Sequence, residues 1–404
     1  MKVLTFSTLF PSSVRPSHGI FVETRLRELL KSGHIESRVI APVPWFPSSN
    51  PRFGEYATYS ATPAREHRNG LDVRHPRYLL APKVGMTSAP LTLALGARAS
   101  ARQLLAEGFD FDVIDAHYFY PDGVAAVMLG KWLRKPVVIT ARGTDINLIP
   151  QHALPRRMIL KAARDCAAMI TVCAALRDEL VALGADAGKI TVLRNGVDLD
   201  LFHPGGRDAA RADFGIDGFT VVSVGHLITR KGHDLVIGAL PHLPDATLLI
   251  AGAGPEEGRL RDLAASLGVE QRTRFLGSLP QQRLRDLYAA ADALVLASSR
   301  EGWANVLLEA MACGTPVVAS NVWGTPEVVA APAAGVLMEE RSAAGVARAV
   351  TSLRTQLPER ADTRRYAEDF GWASTIAGLT ALLTDVVGKH RDKPAVPRGA
   401  HRHA

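Results

Sequence analysis

The chain has 404 residues, of which 47% are hydrophobic and 22% are charged, and its formal net charge is +7. This is the composition of an ordinary globular protein rather than a disordered or fibrous one, and the length favours two domains. No apolar run reaches the roughly 18 residues of a membrane helix, and the apolar N-terminal stretch breaks at Pro11, so we expect a cytoplasmic protein.

The first half of the chain alternates between strand-like and helix-like runs, as a doubly wound α/β domain does. A helix over residues 21–33 ends at Gly33, and residues 42–63 show no clear period, which predicts a long loop. The predicted strands are residues 2–7, 37–42, 112–117, 136–141 and 168–173.

A stretch with Asn-Gly and Pro-Gly-Gly at residues 192–211 resembles a linker, and a second alternating series follows it. Its predicted strands are residues 220–225, 246–252, 273–278, 292–298 and 316–320. We therefore predict two Rossmann-like domains, residues 1–204 and 205–372, facing a central cleft. An amphipathic helix over residues 373–388 follows, and we expect it to cross back to the first domain; packing on its own domain is the alternative.

The positive charge bears on possible partners. Residues 389–404 are basic and lack apolar side chains, which predicts a disordered tail. The other basic residues are interspersed with acids and form no nucleic-acid motif, so we do not expect nucleic acid as a partner. We favour anionic lipid head groups or phosphate-bearing substrates, and a solvated basic surface is the alternative.

Cysteine usage gives a further indication. Cys166, Cys173 and Cys313 form no CxxC pair, and each lies in an apolar context. They are predicted to be reduced core residues, and no zinc site is suggested.

Two carboxylates occupy the segment "EGWANVLLEAMACGTPVVAS", which starts at Glu301 and otherwise reads as a buried helix and strand. The helix carries Glu309 and ends at Gly314. A buried carboxylate without a partner costs several kcal/mol, and ligands of parallel sheets bind beyond the carboxyl ends of the strands. We therefore expect both glutamates to face a ligand; solvated surface acids are the alternative.

The segment "SVGHLITRKGHDLVIGAL" places His226, Arg230 and Lys231 between a strand and a helix that begins near Gly232. Cations at a helix N-terminus suit a diphosphate, and a solvated loop is the alternative.

A glycine-rich segment, "AGAGPEEGRL", superficially matches the dinucleotide fingerprint. Glu256 and Glu257 lie where a pyrophosphate would bind, which argues against NAD. Gly254 still permits close approach of another ligand.

These motifs together resemble the retaining glycosyltransferases of the GT-B fold, family 4. The resemblance rests on "RNGVD" at the linker, "RKG" after the first strand of the second half, and the double-glutamate segment with its "GTPVVAS" end. In the first half, "GIFVETRLREL", "DAHYFYPDG" and "TARGTDIN" resemble the subset that makes cell-surface polysaccharides, such as the teichuronic acid glycosyltransferases.

The resemblance implies roles for particular residues. Lys231 and Arg230 would contact the donor diphosphate, Glu309 its ribose, and Glu301 the hydroxyls of the transferred sugar. The other donor-side residues that it implies are His226, Gly254, Ser278, Leu279, Trp303, Ala304, Asn305 and Val306. The backbone from Trp303 to Val306 would approach the sugar and the phosphates.

In the first half, the resemblance places His117 near the reacting carbon, with Asp145 and Arg142 on the acceptor side. Gly19 would let a phosphate or the acceptor come close. Two positions depart from the family pattern, since many relatives carry Arg at position 226 and His at position 142.

The expected function is transfer of a sugar, with retention, from a UDP- or GDP-linked donor to a glycan or lipid-linked glycan. No Asp-x-Asp occurs in a loop at the expected donor site, and the nearby charges are Arg230 and Lys231, so we expect that neither a metal nor another cofactor is needed. The basic chain suggests peripheral contact with an anionic membrane. One alternative is a nucleotide-sugar 2-epimerase on the same fold. Another is a sugar- or lipid-binding module with a decayed site.

Overall fold

The computed structural model describes residues 1–80 and 85–392, which form two compact units. The first unit contains Met1–Thr171, Glu179–Leu193 and the chain from Ile376 onward, and the second contains Val172–Asp178 and Arg194–Thr375. The predicted disordered tail lies, from residue 393, outside the described residues.

The first unit is built on an eight-stranded sheet in the order β10-β9-β8-β7-β1-β2-β5-β4, parallel except for β4, with a separate β3-β6 pair. The five predicted strands are present. Five strands of this unit were not predicted. They are β3 and β6, which form the separate pair, and β4, β5 and β10 of the main sheet. The strands are β1 (Lys2–Phe6), β2 (Glu36–Ile40), β3 (Val43–Pro44), β4 (Arg65–Arg68), β5 (Leu71–Arg74), β6 (Arg77–Tyr78), β7 (Val113–His117), β8 (Val137–Ala141), β9 (Ala168–Thr171) and β10 (Ile190–Val192).

Helices connect these strands. Those of the first half are α1 (Ile20–Leu30), α2 (Glu55–Ala61), α3 (Gly85–Ala106), α4 (Val124–Leu133), α5 (Thr144–Asn147), α6 (Ala153–Asp165) and α7 (Ala174–Ala182). The prediction of a structureless loop over residues 42–63 was wrong, because this stretch contains β3 and α2. Its aromatic rings pack on one another, with Phe46 centred 5.2 Å from Phe53 and 5.1 Å from Tyr56.

The second unit is a fully parallel six-stranded sheet in the order β13-β12-β11-β14-β15-β16. Its strands are β11 (Phe219–Val224), β12 (Ala246–Ala251), β13 (Thr273–Phe275), β14 (Ala293–Leu296), β15 (Val317–Ser320) and β16 (Gly335–Met338). Its helices are α8 (Arg207–Phe214), α9 (His233–Ala239), α10 (Glu257–Ser266), α11 (Gln281–Ala290), α12 (Asn305–Ala312), α13 (Thr325–Val328), α14 (Ala343–Thr355) and α15 (Arg360–Glu368). Two Rossmann-like halves are thus confirmed.

The second unit takes the chain from Arg194, about ten residues earlier than the linker pattern suggested. The Trp303 indole nitrogen donates to Asn195 O at 3.0 Å, and Val197 N donates to Phe370 O at 2.9 Å. The Asn-Gly segment is therefore packed into the second unit. The sequence shows its turn residues but not these partners.

The last helix, α16 (Trp372–Arg391), returns the chain to the first unit. Its apolar side chains join a cluster formed by strands β1, β7, β8 and β9. The members contributed by the helix are Leu379, Leu383, Val386 and Val387. The helix runs three residues beyond its predicted end, and there Arg391 Nη2 donates to Asp112 Oδ1 at 2.6 Å.

Two composition-based expectations can be compared with the described residues. Within residues 1–80 and 85–392, no helix combines the length and the hydrophobicity that crossing a bilayer demands. Cys166, Cys173 and Cys313 are buried and unpaired, as predicted, and burial raises the pKa of each thiol to about 12.

The packing of α16 predicts a stability effect. Leu383→Ala removes a fully buried side chain from the first unit's core and should lower the free energy of unfolding by about 2–4 kcal/mol. Urea unfolding of both forms measures this difference. Thr384→Ala, at the neighbouring exposed position of the same helix, is the matched control. Equal stability of wild type and Leu383→Ala would contradict the assignment of this helix to the core.

Candidate functional site

A buried ion pair joins two loops at the carboxyl end of the second sheet. Lys231 Nζ lies 2.7 Å from Glu301 Oε1, and Arg230 Nη1 lies 3.8 Å from the same oxygen. The Glu301 residue is only 8% exposed. The structure therefore brings together three of the residues that the sequence assigned to one site.

A close backbone approach fixes the positions of these loops. Gly232 has φ 71°, and a Cβ there would lie 2.1 Å from Ala297 O, so only glycine fits. Ser299 N donates to Arg230 O at 2.8 Å, and Arg230 Nη1 donates to Arg300 O at 2.9 Å. The glycine of "RKG" thus lets the cationic loop lie against the end of β14.

The charge state of Glu301 follows from its neighbours. Burial opposes its ionisation, but Lys231, through charge and a hydrogen bond, and then Arg230 lower its pKa. Glu301 is therefore an anion at neutral pH, able only to accept hydrogen bonds. Two fixed cations face this one carboxylate, which leaves a positive excess for an anionic ligand. The following helix, α9, has only seven residues, so we assign the anion affinity to the side chains rather than to the helix.

Glu309 lies on α12, half-buried, with Tyr288 as its partner. The Tyr288 hydroxyl donates to Glu309 Oε2 at 3.0 Å. Burial raises the pKa of Glu309 to about 7, against the opposing effect of this hydrogen bond. Near neutral pH the side chain thus exchanges between carboxyl and carboxylate. The partner Tyr288 was not anticipated, because nothing in the sequence pairs it with this glutamate.

The loop after β12 lies directly beside the loop that carries His226. Leu227 N donates to Ala253 O at 3.0 Å, and Glu256 N donates to Leu227 O at 3.1 Å. A Cβ at Gly254 would lie 2.4 Å from Leu227 O, so backbone packing alone already requires this glycine. His226 itself is exposed.

The predicted base-side residues follow the neighbouring strand. Ser278 is exposed and Leu279 half-buried, both beyond the carboxyl end of β13. Gly252 N donates to Gly277 O at 2.8 Å, which holds this loop against the one after β12. The loops carrying His226, Gly254 and Ser278 therefore lie side by side at one edge of the sheet.

The segment from Trp303 to Val306 divides into buried and accessible parts. Trp303 and Ala304 are buried, and the Trp303 indole points to Asn195 in the core. Asn305 and Val306 are half-buried at the start of α12. A role for Trp303 and Ala304 in ligand binding is therefore restricted to their backbone.

In the first unit, His117 lies at the end of β7 between two charged partners. Arg142 Nη2 donates to His117 Nδ1 at 2.7 Å, so Nε2 carries the ring proton and points to Asp115 Oδ2 at 3.3 Å. Burial, and then Arg142, lower the pKa of His117 to about 4 against the opposing Asp115 charge. The imidazole is neutral, 2% exposed and occupied at both nitrogens. A place for His117 near the reacting carbon stays a prediction.

Arg25 is a buried charge that our sequence analysis missed. It is 1% exposed, and none of its three guanidinium nitrogens has a hydrogen-bond partner among the described residues. Burial lowers its pKa, while the charge of Asp115 opposes this effect. An available signal was its place among Val22, Leu26 and Leu29 on the apolar face of α1.

Asp145 and Gly19 both have structural reasons for their identity. The Asp145 carboxylate accepts from the backbone N–H groups of Phe119, Arg142 and Gly143 at 2.6 to 3.2 Å. Both its oxygens accept hydrogen bonds and it is fully buried, while its place on the acceptor side stays a prediction. A Cβ at Gly19, which has φ 68°, would lie 2.3 Å from Leu9 O.

A second buried acid, Asp122, holds the loop after β1. It accepts hydrogen bonds from the Thr8 amide and, at 3.0 Å, from the Thr8 hydroxyl. Burial raises the pKa of Asp122 to about 7. The carboxyl edge of the first sheet is thus organised by His117, Asp122 and Asp145 together.

Two family models match the two halves of the chain. The one described as "Glycosyltransferase Family 4" matches residues 20–201, and the one described as "Glycosyl transferases group 1" matches residues 207–370.

Curated proteins align over most of the chain. A D-inositol 3-phosphate glycosyltransferase of Mycolicibacterium smegmatis is 32% identical over 72% of this chain and 72% of its own. The putative teichuronic acid biosynthesis glycosyltransferase TuaC of Bacillus subtilis is 29% identical over 87% and 88%. A glycogen synthase of Mycobacterium tuberculosis is 34% identical over 72% and 73%.

Solved structures share the fold at low identity. Sucrose-phosphate synthase of Thermosynechococcus elongatus superposes with a TM-score of 0.75 at 19% identity, over 96% of this chain and 99% of that chain. Anabaena HepE, in complex with UDP and glucose, superposes with a TM-score of 0.72 at 21% identity, over 95% and 100%.

The environment of Glu309 predicts a pH dependence. Its pKa of about 7 lies above the ordinary value of 4.5, so the folded state holds a proton that the unfolded state releases between these values. Stability should therefore fall as pH rises through this window, and Glu309→Gln should lose up to about 3 kcal/mol of that dependence.

Urea unfolding of both proteins at about pH 5 and about pH 8 measures this difference. Asp122 contributes equally to both proteins and cancels in the comparison. Glu257→Gln, an exposed carboxylate change on α10, is the control and should leave the dependence unchanged. The same pH dependence in wild type and Glu309→Gln would refute the assignment.

Proposed function

Because the chain belongs to the family 4 glycosyltransferases of the GT-B fold, we propose that it moves a sugar from a nucleoside diphosphate sugar to a hydroxyl of a glycan or lipid-linked glycan. We propose retention of anomeric configuration and a place in cell-surface polysaccharide synthesis. The observation that carries the proposal is the cluster of Lys231, Arg230 and Glu301 at the carboxyl edge of the second sheet.

Two fixed cations suit the charge that develops in this reaction. The bond between the anomeric carbon and the diphosphate oxygen breaks, and negative charge grows on the leaving phosphate. Lys231 and Arg230 would stabilise that charge. Both are held by contacts on the protein, so little reorganisation is needed when the charge appears.

Glu301 would accept hydrogen bonds from the hydroxyls of the transferred sugar. Its pKa is lowered, so it stays an acceptor across the neutral range. The acceptor hydroxyl would attack the anomeric carbon from the face that the diphosphate leaves. Its proton would pass to a leaving phosphate oxygen, which balances the step without a protein base. A buried, neutral His117 whose ring nitrogens are both occupied is consistent with such a route.

Glu309 would bind the donor ribose. A carboxylate can accept two hydrogen bonds from the ribose diol, and two such donors would favour the ionised form. The pKa of about 7 in the free protein means that binding would draw the proton off a partly protonated group. Tyr288, packed behind it, would hold the carboxyl group in position.

Two likenesses guide the choice of substrates. Solved complexes of Anabaena HepE contain UDP, UDP with glucose, or UDP-glucose, which supports UDP-sugars as the first donors to test; GDP-sugars remain the second choice. TuaC is described as a teichuronic acid biosynthesis enzyme, which supports a surface polymer as the product.

The first test is sugar transfer from labelled UDP- and GDP-sugars to lipid and polysaccharide extracts. Lys231→Ala should lower the rate by a factor on the order of a hundred or more, because it removes one charge contact to the leaving group. Arg261→Ala, an exposed change on α10, is the matched control and should leave the rate unchanged.

Two outcomes would contradict the proposal. If Lys231→Ala transfers the sugar at the wild-type rate, the cationic cluster does not take part in the mechanism. Conversion of the donor at full rate without any acceptor would instead indicate a nucleotide-sugar 2-epimerase.

We also propose that transfer needs no divalent metal, since Lys231 and Arg230 supply the positive charge. Among residues 1–80 and 85–392, no group of three His, Cys, Asp or Glu side chains is arranged to hold a cation. Activity should therefore persist in excess EDTA. Loss of activity in EDTA, with recovery on adding magnesium or manganese, would overturn this part of the proposal.

A further inference from the structure

Three helices of the first unit carry an unusual charge distribution. Helices α3, α4 and α6 contain seven basic residues and one acid, Asp165. The basic residues are Arg98, Arg102, Lys131, Arg156, Arg157, Lys161 and Arg164. The surface helix α10 of the second unit, by contrast, alternates both signs and pairs Arg261 with Glu257. These three helices thus carry a large net positive charge, separate from that of the basic C-terminal stretch.

The same helices expose large apolar side chains. Met86, Leu91, Leu95 and Leu154 are each about half exposed, and Trp132 is 38% exposed. Soluble surfaces scatter such residues singly, whereas these belong to neighbouring helices.

On α3 the apolar and basic residues form one stripe. Leu91, Leu95, Arg98 and Arg102 follow one another at intervals of four, three and four residues, which places them on one face of the helix. Leucines occupy the N-terminal part of the stripe and arginines the C-terminal part. This order separates an apolar end from a cationic end along a helix of 22 residues.

Side-chain contacts connect the three helices into one surface. The Arg98 guanidinium lies 5.2 Å from the centre of the Trp132 ring on α4, and Lys131 Nζ on α4 lies 2.6 Å from Asp165 Oδ2 on α6. The single acid of these helices is thereby neutralised. We call the exposed side of α3, α4 and α6 the basic helical face.

The apolar end of the basic helical face adjoins the loop that follows His117 and β7. Tyr120, three residues after His117, donates its hydroxyl hydrogen to Met86 O at the start of α3. The same hydroxyl lies 3.8 Å from Met158 Sδ on α6. The loop at the carboxyl edge of the first sheet therefore lies next to the start of α3, the end that carries Leu91 and Leu95.

We propose that the basic helical face docks on an anionic lipid bilayer. Its arginines and lysines would contact acidic head groups, while Met86, Leu91, Leu95 and Leu154 would enter the interface between head groups and acyl chains. Each cation near such a surface adds to the attraction, so several of them together with a few apolar anchors support stable but reversible attachment. A lipid-linked acceptor would then reach the carboxyl edge of the first sheet from the membrane.

The proposal rests on the proposed function only for the nature of the acceptor. Binding to vesicles is a separate measurement that needs neither donor nor acceptor. Failure to bind vesicles would leave sugar transfer intact, and failure of sugar transfer would leave vesicle binding intact.

The test is co-sedimentation of the full chain with phosphatidylcholine vesicles, with and without phosphatidylglycerol, at low and high salt. Wild type should bind only the anionic vesicles, and more weakly at high salt. Arg156→Glu with Arg157→Glu should lower the partition coefficient at least about tenfold. Leu91→Gln with Leu95→Gln should also lower it, and should leave the remaining binding more sensitive to salt.

The control is Arg27→Glu with Arg261→Glu, which changes the net charge equally on helices α1 and α10. It should change the partition coefficient by less than about twofold, and thermal melting should verify that all variants are folded. Absence of wild-type binding at low salt would overturn the proposal. So would an equal loss in the control, which indicates a general charge effect, or retention of lipid binding in both variants of the basic helical face.

Discussion

The approach of Gly232 to the carbonyl of Ala297 is the contact on which the candidate donor site depends. A side chain at that position would overlap the end of β14, and the loop carrying Arg230 and Lys231 would have to move away from Glu301. Because Gly232 permits the approach, Lys231 and Arg230 lie close to the carboxylate of Glu301, and their opposite charges compensate one another. A diphosphate entering this site would share Lys231 with Glu301. In the free protein, none of these three charges is therefore left without an oppositely charged neighbour.

The central strands could be predicted because they are buried on both faces and read as continuous apolar runs, as β7, β8, β11 and β14 do. The strands that escaped prediction have other features. Strands β4 and β10 are short and partly exposed, so their periodicity is weak. The helix in residues 55–61 depends on aromatic contacts that no local pattern reveals. The start of the second unit also depends on a contact that no local pattern reveals, because Asn195 belongs to this unit through its contact with Trp303.

The motifs of the second unit and those of the first differ in how their residues are partnered. Glu301, Lys231 and Arg230 meet as expected because each follows a strand of one parallel sheet, whose carboxyl ends share an edge. His117 and Asp145 also lie at such an edge, but their hydrogen bonds are supplied by Arg142, Asp115 and backbone amides. A sequence shows where a polar residue lies along a strand, not whether its neighbours already satisfy it. Arg25 is the opposite case: its place on the apolar face of α1 gives no sign that a buried charge there lacks hydrogen-bond partners among the described residues.

The return of α16 to the first unit has a consequence for biosynthesis. The core around Val3, Val113, Val138 and Ile170 is completed by Leu379, Leu383 and Val386, which are translated only after the second unit. The N-terminal half therefore emerges from the ribosome with one apolar flank uncovered, and that flank stays open while the whole second unit is made. Domains that fold in order of synthesis normally finish the first before the second. Here the first unit is completed only after the second unit has been made, so the nascent chain keeps this apolar flank uncovered until α16 has been translated.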